Sequence, residues 1–521
     1  MINLSLIDLM SAKKLPGGSD YRSHVRLGTK WAVIGRVLGY TISFFTSVIL
    51  VRYLSVPEYG NYRLLLTLGT LMIYVVSCGI QNSVGRFLPE FYERKQYHEI
   101  QGMILTFTLL RLAVSAAVLL ILFFWKGYLV SFFNLPEEFA SWFWLIAIYL
   151  LLHLTIPVFG EYFHSSSLDI RARTTNDLLK ALFFLTCLCT LPLTFPRLVA
   201  IIVGMEVVSL LFFGSSFFRY LVYFRRFETR DKQAAKTEWK RIGKYSLFTA
   251  FYNLSGLVIG LGFDNLIIVK YRGSEEVALY AFGLMLISVF YMVSPTAMFK
   301  GIIQNIVVQR YTKKADNEAF RFAIGFVLKM GFFFCLPCFL IVCTLAKPII
   351  IYIYREEYLP CIPILYMFAG MYLVRVFSFG YTVIITTLEM VKYLSISYVV
   401  AAYNLLASLI LVQYLGFVGV AVATATAESL LCLYFFFVVW KKVDVDPIGA
   451  AFSLWPILIS SGGAAVFAIV LRPMISGCIS LALVFAGCLA VYIGICYLIK
   501  PFSDEERTLI NGFIGRRVWV F

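Results

Sequence analysis

Charge is scarce in this sequence. Of its 521 residues 14% are charged, where a soluble domain carries about 25%, so a soluble domain is excluded as the main body of the chain. Histidine is scarce too: the four present, His24, His98, His153 and His164, show no metal-ligand or catalytic spacing. No Gly-x4-Gly-Lys-Ser/Thr loop occurs, which argues against ATP hydrolysis, and neither a cofactor nor a metal is expected. The first thirty residues hold Asp8, Lys13, Lys14, Asp20, Arg22 and Arg26 and lack a long apolar core. No cleaved signal peptide is therefore expected, and the first apolar segment should act as both signal and anchor. The eleven cysteines lie mostly in apolar runs and read as small buried hydrophobes. Cys335 and Cys338 have redox-motif spacing without the βαβ context such a motif needs.

What the chain has in abundance is apolar sequence: 60% of it is hydrophobic, with a mean hydropathy of +0.84. About twenty apolar residues cross a bilayer, and on that measure about fourteen spans are expected. Their limits are 29–51, 62–82, 103–125, 141–160, 175–195, 198–222, 245–270, 277–299, 321–345, 361–386, 391–414, 416–440, 451–471 and 476–499. The expected fold is an all-α polytopic membrane protein. Between spans, 223–244 carries the most charge, with Arg225, Arg226, Arg230, Lys232, Lys236, Lys240, Arg241 and Lys244. Placing it in the cytoplasm puts both termini inside, with roughly 30 Lys/Arg inside against about 9 outside, a strong positive-inside bias. The net charge of +16 is thereby read as an orientation signal; it is spread over many short loops, unlike a nucleic-acid patch.

Ionisable residues inside the spans recur. Arg111, His153 and Glu206 in the first half are followed, about 220 residues on, by Lys329, Arg375 and Glu428. Short echoes accompany them: Arg26-Leu27-Gly28 with Arg241-Ile242-Gly243, Val51-Arg52-Tyr53 with Val269-Lys270-Tyr271, Tyr59-Gly60 with Tyr280-Ala281, and Lys126 with Lys347. Six helices per repeat give two lobes of the same orientation, a parallel repeat. The expected organisation is a tail at 1–28, an N-lobe at 29–222, a basic linker at 223–244 and a C-lobe at 245–440. A further helix pair at 451–499 and a cytoplasmic tail at 500–521 complete it.

The segment from Lys30 to Pro89 resembles the N-terminal signature of the polysaccharide-exporter, or O-antigen flippase (Wzx-type), family of the MATE-like superfamily. Trp31, Val51-Arg52-Tyr53-Leu54, Pro57-Glu58-Tyr59-Gly60, Gly79 and Arg86 carry the match. Leu415-Gly416-Phe417-Val418-Gly419-Val420-Ala421 resembles the family's glycine-alanine turn. The resemblance implies two six-helix lobes around a central cavity in a bacterial inner membrane. It implies alternating access acting on an undecaprenyl-pyrophosphate-linked oligosaccharide, destined for O-antigen, capsule or another envelope polymer. Membrane lipids and the polymerase machinery are the implied partners.

The residues suggest how such a substrate would be held. Arg36, Tyr40, Ser43 and Ser47 lie on one helical face, and span 7 carries Asn253, Gly256, Gly260 and Asp264 along another. If the lobes meet there, both faces line the cleft. Arg36, about 9 Å from the cytoplasmic end, suits a pyrophosphate headgroup because its fork of donors matches phosphate oxygens; snorkelling to the headgroups is the other role its depth permits. Asp264 is the candidate for a coupling proton or cation, or else a structural polar contact. Arg111 with Glu206, and Lys329 with Glu428, are expected as ion pairs within each lobe. Arg375 lacks an acid on its own helix and is a second anion contact, while His153 reads as a packed neutral side chain. Arg86, Glu90, Glu93, Arg94 and Lys95 suggest an interfacial helix.

Two other classes stay open. A MATE-type ion-coupled drug antiporter would favour a cavity of acids and aromatics, whereas Arg36, Arg111, Lys180, Arg219, Lys329 and Arg375 outnumber Asp264, Glu206 and Glu428. A membrane glycan polymerase or acyltransferase would need a sizeable outer loop with catalytic groups, and the outer loops here are short.

Overall fold

The protein is described by a computed structural model covering residues 18–77, 79–80, 83–84, 87, 91, 97–135, 137–165, 170–225, 239–247, 250, 263–294, 317–388, 390–443, 447–514 and 519–521. The described chain is all-α and carries no strand. Its first half comprises α1 (Gly18–Tyr53), α2 (Val56–Ser77), α3 (Tyr97–Phe132), α4 (Phe143–Ser165), α5 (Ile170–Thr190) and α6 (Phe195–Arg225). The second half runs through α7 (Asp264–Arg272), α8 (Ser274–Val293), α9 (Asn317–Thr344), the short α10 (Ala346–Ile353), α11 (Ile362–Thr387), α12 (Ile396–Leu415) and α13 (Phe417–Val443). Helices α14 (Trp455–Leu471), α15 (Cys478–Ile499) and α16 (Asp504–Ile514) follow.

Nine helices among the described residues are long and apolar enough to cross a membrane, and Val37–Tyr53 and Phe143–Ile156 are shorter apolar stretches. With no water to satisfy backbone groups in lipid, helices are the form that such apolar runs must take. Large apolar side chains such as Phe124, Leu211 and Leu498 are exposed on the surface, as a lipid-facing bundle requires. Helix α5 is outside the nine; it holds Arg171, Arg173, Asp177 and Lys180. Most of the span expected at 245–270, and the expected interfacial helix at 86–95 save for Phe87 and Phe91, lie outside the described residues.

The two halves pack by one scheme. In the first, α4 lies against α6, α5 against α6, and α3 against α4, while α2 touches α3, α4 and α6. In the second, α11 lies against α13, α12 against α13, and α9 against α11, while α8 touches α9, α11 and α13. The halves meet chiefly through α2 and α8. Gly60 makes that approach close: a Cβ there would collide with the Ser274 carbonyl.

Turns between helices are pinned by charge. Gly416 joins α12 to α13 at φ 61°, a conformation that favours glycine, and a Cβ would also press on the Glu276 carboxylate. That carboxylate accepts the Phe417 N–H at 2.9 Å, satisfying one of the free donors at the start of α13. Arg272 donates to the carbonyls of Val412 and Gln413 at 3.1 and 2.8 Å, capping the end of α12.

The last two spans attach through a proline. Pro337 lies inside α9, and a proline cannot donate to the carbonyl four residues before it. That carbonyl belongs to Phe333, and it accepts the Tyr492 hydroxyl of α15 at 2.8 Å. Cys335 in the same turn is a buried free thiol, and Cys338 a half-buried one. The stretch expected as a C-terminal tail contains a docked helix. Ser503 and Glu506 bond reciprocally at its start, and Phe502 and Trp519 pack on the Phe333 ring with centroids 5.4 and 5.2 Å away.

Candidate functional site

Each half holds a buried acid paired with a base from a neighbouring helix. Glu206 on α6 takes Lys180 of α5 on both carboxylate oxygens, at 3.0 Å each, and His153 Nδ1 of α4 at 3.0 Å. Glu428 on α13 takes Arg375 of α11, whose Nε donates at 2.7 Å and whose Nη2 reaches the same oxygen. The Arg375 guanidinium also stands 5.3 Å from the Tyr372 ring, within cation–π range. In both halves acid and partner are 53 residues apart. Burying charge is tolerable only when it is paired and hydrogen-bonded, and both acids meet that condition.

These partners correct the expected ion pairs. Arg111 is fully buried and its Nε donates to the Leu154 carbonyl on α4 at 2.8 Å. Glu206 has its close partners on α4 and α5, because α6 packs principally on those two helices. Lys329 reaches Glu506 of α16 at 2.9 Å rather than Glu428, since α11 separates α9 from α13. Arg375, expected as a second anion contact, has its charge answered by Glu428 from the adjacent helix.

Asp264 is 1% exposed. It accepts hydrogen bonds from the Tyr280 hydroxyl of α8 and, at 3.0 Å, from Thr424 Oγ1 of α13. Thr424 Oγ1 also lies 3.4 Å from Asn404 Oδ1 of α12. Two helices, α8 and α13, thus donate to the carboxylate carried by α7, and α12 joins the network through Asn404. The expectation that Asp264 lines the cleft between the lobes is corrected: its side chain points into its own half.

The seam between halves has its own polar contacts. Tyr40 on α1 donates to the Met292 carbonyl at 3.4 Å, and Ser47 lies 3.3 Å from the Tyr354 hydroxyl. Asn265 Nδ2 donates to Thr67 Oγ1 at 2.7 Å. At the end of α1, Arg52 donates to the carbonyls of Ile353 and Tyr352 at 2.8 and 2.6 Å, which close α10. In return Arg355 Nη1 donates to the Leu54 carbonyl at 3.0 Å. Each helix end, rich in free carbonyls and partial negative charge, is capped by the other half's arginine. Beside this clasp, Asn134 Nδ2 donates to the Lys270 carbonyl at 2.8 Å, and Lys270 Nζ sits 3.6 Å from the Phe132 ring centroid. The Arg36 side chain and all of Asn253 lie outside the described residues.

Sequence reasoning missed the roles of Lys180, Tyr280, Asn404 and Thr424. Lys180 was legible as a cation in a helix, but threonine, asparagine and tyrosine are too common in spans for any one of them to announce a buried network. It also passed over Arg63, a cation inside α2 whose Nε is buried without a hydrogen-bond partner.

Comparison with known proteins adds family and fold. The profile of the family described as "Polysaccharide biosynthesis protein" matches residues 49–363. No curated protein matches the sequence significantly. Among solved structures, "Lipid II flippase MurJ, inward closed conformation" superposes with a TM-score of 0.65 at 16% identity, covering 93% of this chain and 99% of that one. An inward-facing multidrug resistance MATE family transporter of the MOP superfamily gives 0.58 at 14% identity, over 80% and 99%. A MATE structure in the bent conformation gives 0.51 at 13%, over 84% and 98%. At such identities the likeness is one of fold.

Proposed function

The chain belongs to the polysaccharide biosynthesis protein family, and from that premise we propose that it is a flippase. Its cargo is an undecaprenyl-pyrophosphate-linked oligosaccharide repeat unit. It carries that unit across the bacterial cytoplasmic membrane by alternating access, supplying a cell-surface polysaccharide such as O-antigen or capsule. The observation that carries this reading is the reciprocal clasp of Arg52 and Arg355. Two similarly packed lobes are tied at one end by contacts that a rocking motion exchanges without unfolding either lobe. Alternating access requires such a separable closure.

In this reading the Arg52 end faces outward and the termini lie in the cytoplasm, as the basic loops favour. Arg36, with Tyr40 one turn on along the same helical face, then meets the pyrophosphate in the leaflet where the carrier is loaded, and Asn253 adds a further polar contact to the substrate. Asp264 carries a coupling proton or cation, supported by its burial among the oxygens of Tyr280, Thr424 and Asn404. The polymerase that consumes the exported unit is the natural partner.

The test is the leaflet location of the lipid-linked oligosaccharide in cells depleted of the protein. Completed units should accumulate on the cytoplasmic side and be released by the wild-type chain but not by Arg36→Ala. Units that reach the outer leaflet unpolymerised would overturn the flippase reading in favour of an enzyme. Normal units with altered drug retention would favour a multidrug antiporter.

A further inference from the structure

Arg63 is a cation at the seam that the flippase reading leaves without a task. It stands on α2 one turn from Tyr59 and one turn from Thr67, and both neighbours touch the other half. Tyr59 lies edge-on to Tyr358 at 6.0 Å and donates weakly to the sulfur of Met285, while Thr67 is held by Asn265. Residues four apart share a helix face, so Arg63 belongs to the stripe that faces the second lobe. Seven residues from Val56, it lies about 10 Å from the Arg52 end of the bundle. Asn265, seven residues from Arg272, lies about 10 Å from the same end.

Neither side chain is fully answered. Among the described residues no acid lies within ion-pair distance of Arg63, and its Nε is buried without a hydrogen-bond partner. Asn265 spends its amide N–H on Thr67, and its Oδ1 is buried and also unpartnered. Native proteins rarely leave buried polar atoms orphaned, and those that remain call for a reason such as a missing ligand. One orphan is a cationic donor and the other a neutral acceptor. A ligand that presents an anionic oxygen beside a hydroxyl satisfies both. Nor is the cation part of the repeated architecture: the matching stretch of α8, Tyr280–Leu284, carries no charge.

We propose that Arg63 and Asn265 form a second binding station in the outer half of the translocation path, beneath the Arg52–Arg355 clasp. Arg63 takes a phosphate oxygen of the lipid carrier, and Asn265 Oδ1 accepts a hydroxyl of the attached sugar. The station rests on the flippase reading and extends it. Arg36 receives the headgroup near the cytoplasmic end, and Arg63 receives it next, so the anion crosses the apolar middle between two fixed cations. Guanidinium suits this because its fork of donors matches phosphate geometry.

The test uses the full chain in lipid nanodiscs. Phenylglyoxal modification of Arg63 is followed by mass spectrometry alone, with farnesyl pyrophosphate, and with inorganic pyrophosphate. Farnesyl pyrophosphate is expected to slow modification of Arg63 about threefold or more, and Arg63→Gln to weaken its binding about tenfold, with Arg63→Lys keeping part of it. Because the labelling arm uses the wild-type chain, it stands even if a variant fails to fold. Equal rates with and without farnesyl pyrophosphate, or unchanged affinity in folded Arg63→Gln, overturn the station. Equal protection by inorganic pyrophosphate overturns the lipid-headgroup assignment. If the leaflet assay shows flipping while Arg63 stays unprotected, this proposal falls alone; if flipping is absent, the functional reading falls with it.

Discussion

The two halves of the bundle place an acid at matching positions and answer it with different chemistry. In the first, Glu206 is held by His153 of α4 and by Lys180 of α5, each at 3.0 Å. In the second, Glu428 is held by Arg375, whose planar guanidinium donates from Nε at 2.7 Å. Among the described residues the first acid has two partners from two helices, and the second has one. The second half also contains Asp264, while α1 carries no acid beyond Asp20. Similar packing therefore supports an acid shared between two helices in one half, and a single-partner strut plus a separate carboxylate in the other.

The contrast can be broken most sharply at the strut. Arg375→Met leaves Glu428 buried and unpaired, and about 3–5 kcal/mol of stability should be lost. The melting temperature of the purified protein in detergent reads this, and a wild-type value would show that the second half does not depend on the pair. Asp264→Asn is expected to lower transport between about 5- and 150-fold, the range of an ordinary coupling free energy, with membrane insertion unchanged. Full transport in that variant removes Asp264 from the mechanism. Lys180→Met should have an intermediate effect on stability, about 1–3 kcal/mol, because Glu206 loses two charged hydrogen bonds but keeps His153. The smallest effect is expected from His153→Gln, about 1 kcal/mol or less, since Lys180 remains on both oxygens. If His153→Gln proves as damaging as Arg375→Met in the same melting assay, the two sites are equivalent and the contrast is wrong.

Much of the membrane architecture is legible from hydropathy, because lipid forces long apolar runs into helices whatever their neighbours. The positions 153, 206, 375 and 428 were also visible, as ionisable groups in apolar surroundings at a constant offset. Their partners were not. Arg111 with Glu206 is a reasonable pair on charge alone, yet α4 supplies His153 to the acid and the Leu154 carbonyl to the arginine. Charge alone pairs Lys329 with Glu428, but the C-terminal segment folds back as α16 and brings Glu506 to Lys329 instead. The signal for that helix was present in Ser503 and Glu506, spaced as a capping box. Pro337 could be read as releasing the Phe333 carbonyl, but only the packing of α15 on α9 brings Tyr492 to it.

By itself the sequence determined that the chain is an all-helical membrane protein with repeated intramembrane charges, since hydrophobicity, length and charge spacing are local properties that any neighbour leaves intact. Tertiary structure alone decided which acid meets which base, that Asp264 turns into its own half, and that Arg63 and Asn265 reach the seam with unanswered atoms. Those outcomes depend on helix rotation and on which helix lies between two others. A rotation of 100° per residue moves a side chain from lipid to seam without changing the composition of its span.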